Sequence, residues 1–327
     1  MPNAALPGLD ECLQAAARLE GHIHRTPTLS SRSLGKIIGR PAFLKAELFQ
    51  RTGAFKLRGA MNRVADLSAA ERATGAVTVS AGNHAQAAAL ACAEAGVDVV
   101  VFMPHSASEM KVAATRGYGA TVDLEAADGA EAFARMHDLA VRSGRIVIHP
   151  FDDPRVIAGA STVGLEICAD IPSPGAVIVP ASGGGLVSGV AIAVKALAPA
   201  ARVVAVQPSA TATLRASRSP ERPSAAPAGS RRATIADALT APGIGELNLA
   251  ACAEHVDEVV HLDEEEIAAG VRFLYERAKL ACEAGAAVGV GALLAGKVAE
   301  LGEGPVVAVV SGGNLTPQLA ASILSGG

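Results

Sequence analysis

Short runs of Val and Ile alternate with Ala-rich stretches of helical length along most of this chain, and that alternation limits the folds open to it. AVTVS (Ala76 to Ser80) runs into an Ala-rich stretch ending near Ala95, and VDVVVFMP (Val97 to Pro104) into one ending near Arg116. ATVDLE (Ala120 to Glu125) precedes a helical stretch over 128–142. RIVIHP (Arg145 to Pro150) precedes one over 154–169, and AVIVP (Ala176 to Pro180) one over 186–197. RVVAVQP (Arg202 to Pro208) and VVAVVSGG (Val306 to Gly313) read as further strands. A strand that is apolar at every position is buried on both faces, so these runs predict parallel strands covered by helices on either side. The 327 residues suffice for about two domains. The expected fold is therefore α/β, with two open, twisted, mostly parallel sheets flanked by helices. In such sheets ligands bind beyond the carboxyl ends of the strands.

Composition narrows the function. Half of the residues are hydrophobic but only 3% are aromatic, so the core is Ala, Val, Leu and Ile, which lets backbones approach closely. The net charge of −4 gives no broad cationic face and argues against a nucleic-acid partner. Cys12, Cys92, Cys168, Cys252 and Cys282 have neither metal-ligand nor redox spacing and read as buried thiols in a reducing compartment. No signal-peptide pattern and no apolar run of about 20 residues is seen, so a soluble cytoplasmic protein is expected. The segment Arg215 to Arg232 breaks the rhythm with five Arg and one Glu among Ser, Pro and Ala. It is expected to be a solvated mobile loop, with a basic docking site as the alternative.

Four loops carry candidate chemistry. In TGAFKLRGAMNRV, Lys56 sits between Phe55 and Leu57 where a helix begins. A lysine there is ordinarily a surface cation, but one desolvated by apolar neighbours loses its proton easily and attacks carbonyls. In VSAGNHAQAAAL, a strand passes through Ser80, Ala81, Gly82, Asn83 and His84 into a helix, whose free N–H groups suit a carboxylate. The plainer reading is a Gly turn with an Asn cap. In VPASGGGLVSG, Gly183, Gly184 and Gly185 lead from a strand into a helix at Leu186, which opens backbone amides to a phosphate. No G-K-[ST] follows, so it is not a Walker loop. The next strand ends in Gln207, not an acid, so a nicotinamide dehydrogenase is disfavoured, and Lys56 would have no role in one. In VVSGGNLTP, Ser311 ends the last strand, where it caps a turn or meets a ring nitrogen.

Together these loops closely resemble pyridoxal-phosphate enzymes of the tryptophan-synthase-β type (fold type II), and within them the threonine/serine dehydratase and serine racemase family. The resemblance runs from RTPTLSS (Arg25 to Ser31) to SGGN (Ser311 to Asn314) and includes HPFDD (His149 to Asp153) and TIAD (Thr234 to Asp237). FKLRGA and SAGNH are its specific segments. It implies a large cofactor-binding domain of residues 1–76 plus 148–327 and a small domain of 77–147, with pyridoxal 5'-phosphate and substrate in the cleft between them. It further implies that Lys56 carries the cofactor as a Schiff base and takes the substrate Cα proton. Phe55 would pack on one ring face with Ala238 near the other, and Asn83 would hydrogen-bond the ring hydroxyl. Gly183, Gly184, Gly185 and Leu186 would hold the phosphate, and Ser311 would face the pyridine nitrogen. Ser80, Ala81, Gly82 and His84 would bind the substrate carboxylate, with Glu283 facing its hydroxyl or amine.

The implied activity is dehydration and deamination of L-threonine, L-serine or another 3-hydroxy amino acid to a 2-oxo acid and ammonia, by a homodimer or homotetramer. A neutral Ser cannot protonate the pyridine, so the ring is a weaker electron sink and prompt loss of the β-hydroxyl is favoured. Ala81 stands where serine racemases carry a Ser, which disfavours racemisation. Gln207 and Thr213 stand where metal-dependent relatives carry carboxylates, so no divalent metal is expected. Ser182 replaces the first Gly of a four-glycine loop, where it adds a hydroxyl to the phosphate or is merely tolerated, and Gly159-Ala160-Ser161-Thr162 and Glu283-Ala284-Gly285, with Ala238, imply an altered substrate pocket. A racemase, a β-replacement enzyme and a non-catalytic binding protein on the same fold remain the alternatives. The last leaves Lys56, Asn83 and Ser311 without a role.

Overall fold

The computed structural model describes residues 5–218, 220–227 and 232–326. Its strands are β1 (Thr28–Ser30), β2 (Ala42–Ala46), β3 (Ala76–Val79), β4 (Val99–Pro104), β5 (Thr121–Ala126), β6 (Ile146–Val147), β7 (Ala176–Pro180), β8 (Arg202–Pro208), β9 (Ser217–Arg218), β10 (Glu258–Leu262) and β11 (Val306–Val310). They form a seven-stranded sheet in the order β1-β2-β11-β7-β8-β10-β9 and a four-stranded sheet in the order β5-β4-β3-β6. Only the edge pairs β1–β2 and β9–β10 are antiparallel. The remaining pairs, from β2–β11 to β4–β5, are parallel. The expected two-sheet α/β architecture is present.

The Val and Ile runs form the centres of the sheets. β7 and β11 are buried at every residue. One face of the large sheet packs on the helices Glu264–Phe273 and Ala284–Leu294, the other on Pro154–Asp170 and Gly185–Leu197. Ala284–Leu294 is buried over nearly its whole length, as a helix without a polar face must be. The small sheet packs on Asn83–Glu94 and on the Lys56–Ala65 helix of the larger assembly. Small residues also let the helix Lys56–Ala65 lie close on Pro154–Asp170. A methyl on Gly59 would lie 2.8 Å from Val156 Cγ1, and one on Gly159 would collide with the Arg58 carbonyl.

At three places the structure adds to the sequence reading. RIVIHP yields only the two-residue β6, with Ile148 N still donating to Val77 O at 2.9 Å. β2 and β10 lie within the large sheet although charged residues interrupt their apolar pattern. Lys45 in β2 is fully buried and pairs with Glu166 at 2.6 Å, and Glu258 in β10 accepts from Ala299 N. The described part of Arg215 to Arg232 is mostly exposed, as expected of a solvated loop, and its chain returns on itself. β9 pairs with β10, Leu214 bridges Ala225, and Arg215 N donates to Ser224 O at 2.8 Å. Residues 219 and 228–231 of that segment lie outside the described residues. Among the described residues no helix is long and apolar enough to cross a membrane.

Candidate active site

The turn that carries Lys56 is fastened to the loop after β11. Phe55 N donates to Ser311 O at 3.0 Å and Gly313 N to Gly53 O at 2.8 Å. Asn314 Nδ2 donates to Thr52 O at 2.9 Å. Lys56 and Ser311, 255 positions apart in the numbering, are therefore held side by side. The helix Lys56–Ala65 then places the amine inward. Its Nζ donates to Pro150 O at 2.7 Å and stands 5.2 Å from the centre of the Phe55 ring. Loss of hydration, only partly offset by the charge of Glu283, lowers the amine pKa from 10.5 to about 8.

Asn83 opens the helix Asn83–Glu94 from the small sheet, and its amide is engaged on both sides. Its Nδ2 donates to Glu283 Oε1 at 2.7 Å, and its Oδ1 accepts from Asn314 Nδ2 at 2.7 Å. Glu283 is 3% exposed. Burial, reinforced by Asp237, raises its pKa to about 7 although the Asn83 bond favours its ionised form. Lys111 of the small-sheet side reaches Asp237 at 2.6 Å and so spans the opening above Glu283. The loop Ser80 to Gly82 is half-buried, and Gly82 N donates to Ser80 Oγ at 3.1 Å. No side chain caps the helix that follows. The His84 ring is turned away from this loop into the packing beneath it. Its Nε2 lies 3.0 Å from Thr78 Oγ1 and 3.1 Å from Ile148 O, and burial pushes its pKa down to about 3.

The three glycines after β7 make a bare helix start. Gly184 has φ +103°, a conformation that side chains resist, and caps the helix Gly185–Leu197 without a side-chain acceptor. A methyl at Gly183 would collide with the Phe151 ring, and one at Gly184 with Asn248 Cβ. Gly183, Gly184, Gly185 and Leu186 are buried. An uncapped helix N-terminus without side chains is built for an anion such as a phosphate. Ser182, beside them, accepts Ala241 N at 3.0 Å on its hydroxyl. Gln207 donates to Thr213 Oγ1, which donates to Ser182 O, so Gln207 and Thr213 form a neutral hydrogen-bonded chain. Ala238 lies in the 3₁₀ turn Asp237–Leu239, packed on Gly285.

The structure thus gathers Phe55, Lys56, Asn83, Glu283 and Ser311 into one cluster. The Gly183 loop joins them through Pro150 and Phe151. Sequence reading missed the part played by Asn314 and by the turn His149 to Asp153. SGGN and HPFDD were visible as segments, but nothing in them says which neighbours they fasten. A desolvated lysine facing a bare helix start fits pyridoxal phosphate, which needs an amine for its aldehyde and amides for its phosphate.

Known proteins point the same way. The pyridoxal-phosphate dependent enzyme family model matches residues 19–312. The L-threonine ammonia-lyase of Thermotoga maritima is 40% identical over 323 residues, which are 98% of this chain and 78% of that one. The catabolic L-threonine dehydratase TdcB of Escherichia coli (strain K12) is 39% identical over 309 residues, covering 94% of this chain and 93% of that one. Maize serine racemase superposes with a TM-score of 0.88 at 32% identity, covering 99% of this chain and 98% of that one. This chain belongs to the pyridoxal-phosphate dependent enzymes, within the group of threonine dehydratases and serine racemases that its motifs resemble.

Proposed function

We propose that the protein is a pyridoxal-phosphate ammonia-lyase that dehydrates and deaminates L-threonine or L-serine to a 2-oxo acid and ammonia. The observation that carries this reading is the Lys56 amine. It is desolvated, rests on a carbonyl rather than a carboxylate, and has its pKa lowered to about 8. The relatives named as threonine ammonia-lyase and dehydratase support it.

When bound, pyridoxal phosphate supplies the electron sink for the pair left at the substrate Cα. Lys56 would hold the cofactor and, when its amine is free, would accept the Cα proton on Nζ, which a pKa of about 8 permits. The Gly183, Gly184, Gly185 and Leu186 amides would hold the phosphate, with the helix start favouring its charge. Phe55 would lie against one ring face and Ala238 near the other. Asn83 would take the ring hydroxyl, and Ser311 would take the pyridine nitrogen without protonating it. The backbone of Ser80 to His84 takes the substrate carboxylate, His84 contributing by bracing the loop from beneath. Glu283, half-protonated near neutral pH, donates toward the substrate hydroxyl that departs as water. Ala81 offers no hydroxyl to return a proton to the opposite face, so the 2-oxo acid is favoured over the D-amino acid.

In this reading residues 1–76 plus 148–327 form the cofactor domain and 77–147 the small domain, with the chemistry in the cleft between them. The five cysteines are all free and buried, which suits a reducing cytoplasm. The working form is a homodimer or homotetramer.

The test is a panel of 3-hydroxy amino acids assayed for ammonia and 2-oxo acid, with D-amino acid measured in parallel. L-threonine and L-serine are expected to lead, with little L-to-D conversion. Racemisation as fast as dehydration would overturn the Ala81 argument. An acidic or bulky hydroxy amino acid in the lead would replace the substrate. No turnover of any member would overturn the reading.

A further inference from the structure

The turn Ile148 to Asp153 carries the chain out of the small sheet, and each of its residues is fastened to a different part of the site. Ile148 O accepts from Thr78 Oγ1 at 2.7 Å and lies 3.1 Å from His84 Nε2, beneath the carboxylate loop. Pro150 O accepts from Lys56 Nζ. The Phe151 ring fills the space that a methyl on Gly183 would need, its Cα and Cβ press on Gly185, and Phe151 O accepts from Asn248 Nδ2 at 3.0 Å. Asp152 accepts from Glu246 N and Leu247 N at the start of the helix Glu246–His255. Asp153 accepts from Arg155 N and Val156 N at the start of Pro154–Asp170, and pairs with Arg63 at 3.1 Å.

One side chain folds this turn. His149 Nδ1 accepts from Asp152 N at 2.7 Å and from Phe151 N at 3.3 Å. Its ring meets the Phe151 ring edge-on, with centres 4.7 Å apart. Accepting two amides on Nδ1 requires the neutral imidazole with its proton on Nε2. Burial, which disfavours the charged ring, pulls its pKa below the usual value and supports that form.

We propose that His149 is a positioning residue. By holding the Phe151 and Asp152 amides it sets the Pro150 carbonyl where the free Lys56 amine rests, and the Phe151 ring where the glycine loop lies. Resting on Pro150 keeps the amine directed into the site whenever it is detached from the cofactor. Without the Nδ1 acceptor the turn opens, and the lysine and the phosphate loop lose their shared support. The cofactor part of this inference rests on the reading of Lys56 as the cofactor lysine.

The experiment compares His149→Leu, which removes the acceptor, with His149→Asn, whose Oδ1 stands near the place of Nδ1. In cofactor-free protein, hydrogen exchange at Phe151 and Asp152 is expected to quicken about tenfold in His149→Leu and to recover in His149→Asn. In loaded protein, the pyridoxal phosphate dissociation constant is expected to rise about tenfold in His149→Leu. kcat should fall while KM stays near its parent value, because a misplaced amine loses rate more than binding. His149→Asn should recover both. A leucine variant that matches the parent in exchange and cofactor affinity overturns the proposal, as does an asparagine variant no better than leucine. Should His149→Leu fail to fold, His149→Gln replaces it, since its acceptor stands one methylene too far out. Asparagine near parent with glutamine impaired supports the proposal, and equal behaviour overturns it. If Lys56 is not the cofactor lysine, borohydride fails to fix cofactor to it in the parent, while the exchange measurements still judge the turn.

Discussion

Arg58 and Lys56 lie two positions apart on one helix, and both are cations drawn out of water, yet the protein treats them in opposite ways. Arg58 is fully buried and saturated. It reaches Glu47 Oε2 at 2.7 Å and Glu166 Oε1 at 2.6 Å, with Thr162 also in range, and the Glu47 and Glu166 carboxylates raise its pKa against the cost of burial. Lys45 joins through Glu166, so two cations meet two carboxylates and the cluster is neutral. Lys56 has a carbonyl and the face of the Phe55 ring as neighbours, and its pKa falls. The nearest acid, Glu283, bonds to Asn83 and itself rises to about 7. Charge that is paired fixes the backbone. Charge left unpaired beside it is free to exchange protons near neutral pH.

The strongest way to break this comparison is Arg58→Met. It strands Glu47 and Glu166, and losing one partner of a buried charge cluster costs about 3–5 kcal/mol. Denaturant unfolding of the cofactor-free protein measures it. Arg58→Lys is expected to recover little, since a single ammonium cannot reproduce the guanidinium fork. A loss near zero for Arg58→Met would mean the cluster does not organise the helix.

Glu283→Gln sharpens the comparison from the other side. In the folded protein the Glu283 pKa is about 7 against an ordinary 4.5, so between those values the native state keeps a proton that the unfolded chain has released. Glu283 therefore stabilises the fold fully below pH 4.5, and that contribution is lost as pH rises toward 7. Denaturation at a series of pH values should show this fall in the parent and a flatter line in Glu283→Gln. An unchanged slope would place the titrating group elsewhere.

The smallest effect belongs to Lys111→Met. The Lys111–Asp237 pair is partly exposed, with Asp237 nearly half open to solvent. Screening limits its loss to about 1 kcal/mol or less, read from the melting temperature. A larger loss would show that exposed pairs carry weight here as buried ones do.

Much of the frame was legible in the sequence. Continuous Val and Ile runs can only be buried strands, and the helical stretches that follow fix the parallel order. Lys56, Asn83, Gly183 to Gly185 and Ser311 stand out because each sits where a strand gives way to a helix or loop. What hid was pairing across long separations. Lys45 interrupts β2 as if it faced water, and only the fold shows that Glu166 neutralises it. Glu47, Arg58 and Glu166 carry no spacing that announces a cluster. His84 lies among the loop residues in sequence, yet its ring belongs to the packing below them. His149 reads as one more polar residue until the turn closes on its Nδ1.

The most direct measurement is the pH dependence of cofactor capture by the cofactor-free protein, followed by borohydride reduction and peptide mapping. Capture that rises through a midpoint near pH 8, with the reduced label on Lys56 and none in Lys56→Ala, is the expected result. A midpoint at the ordinary lysine value of 10.5, or a label that persists in Lys56→Ala, would contradict the assignment of the chemistry to a desolvated, unpaired lysine.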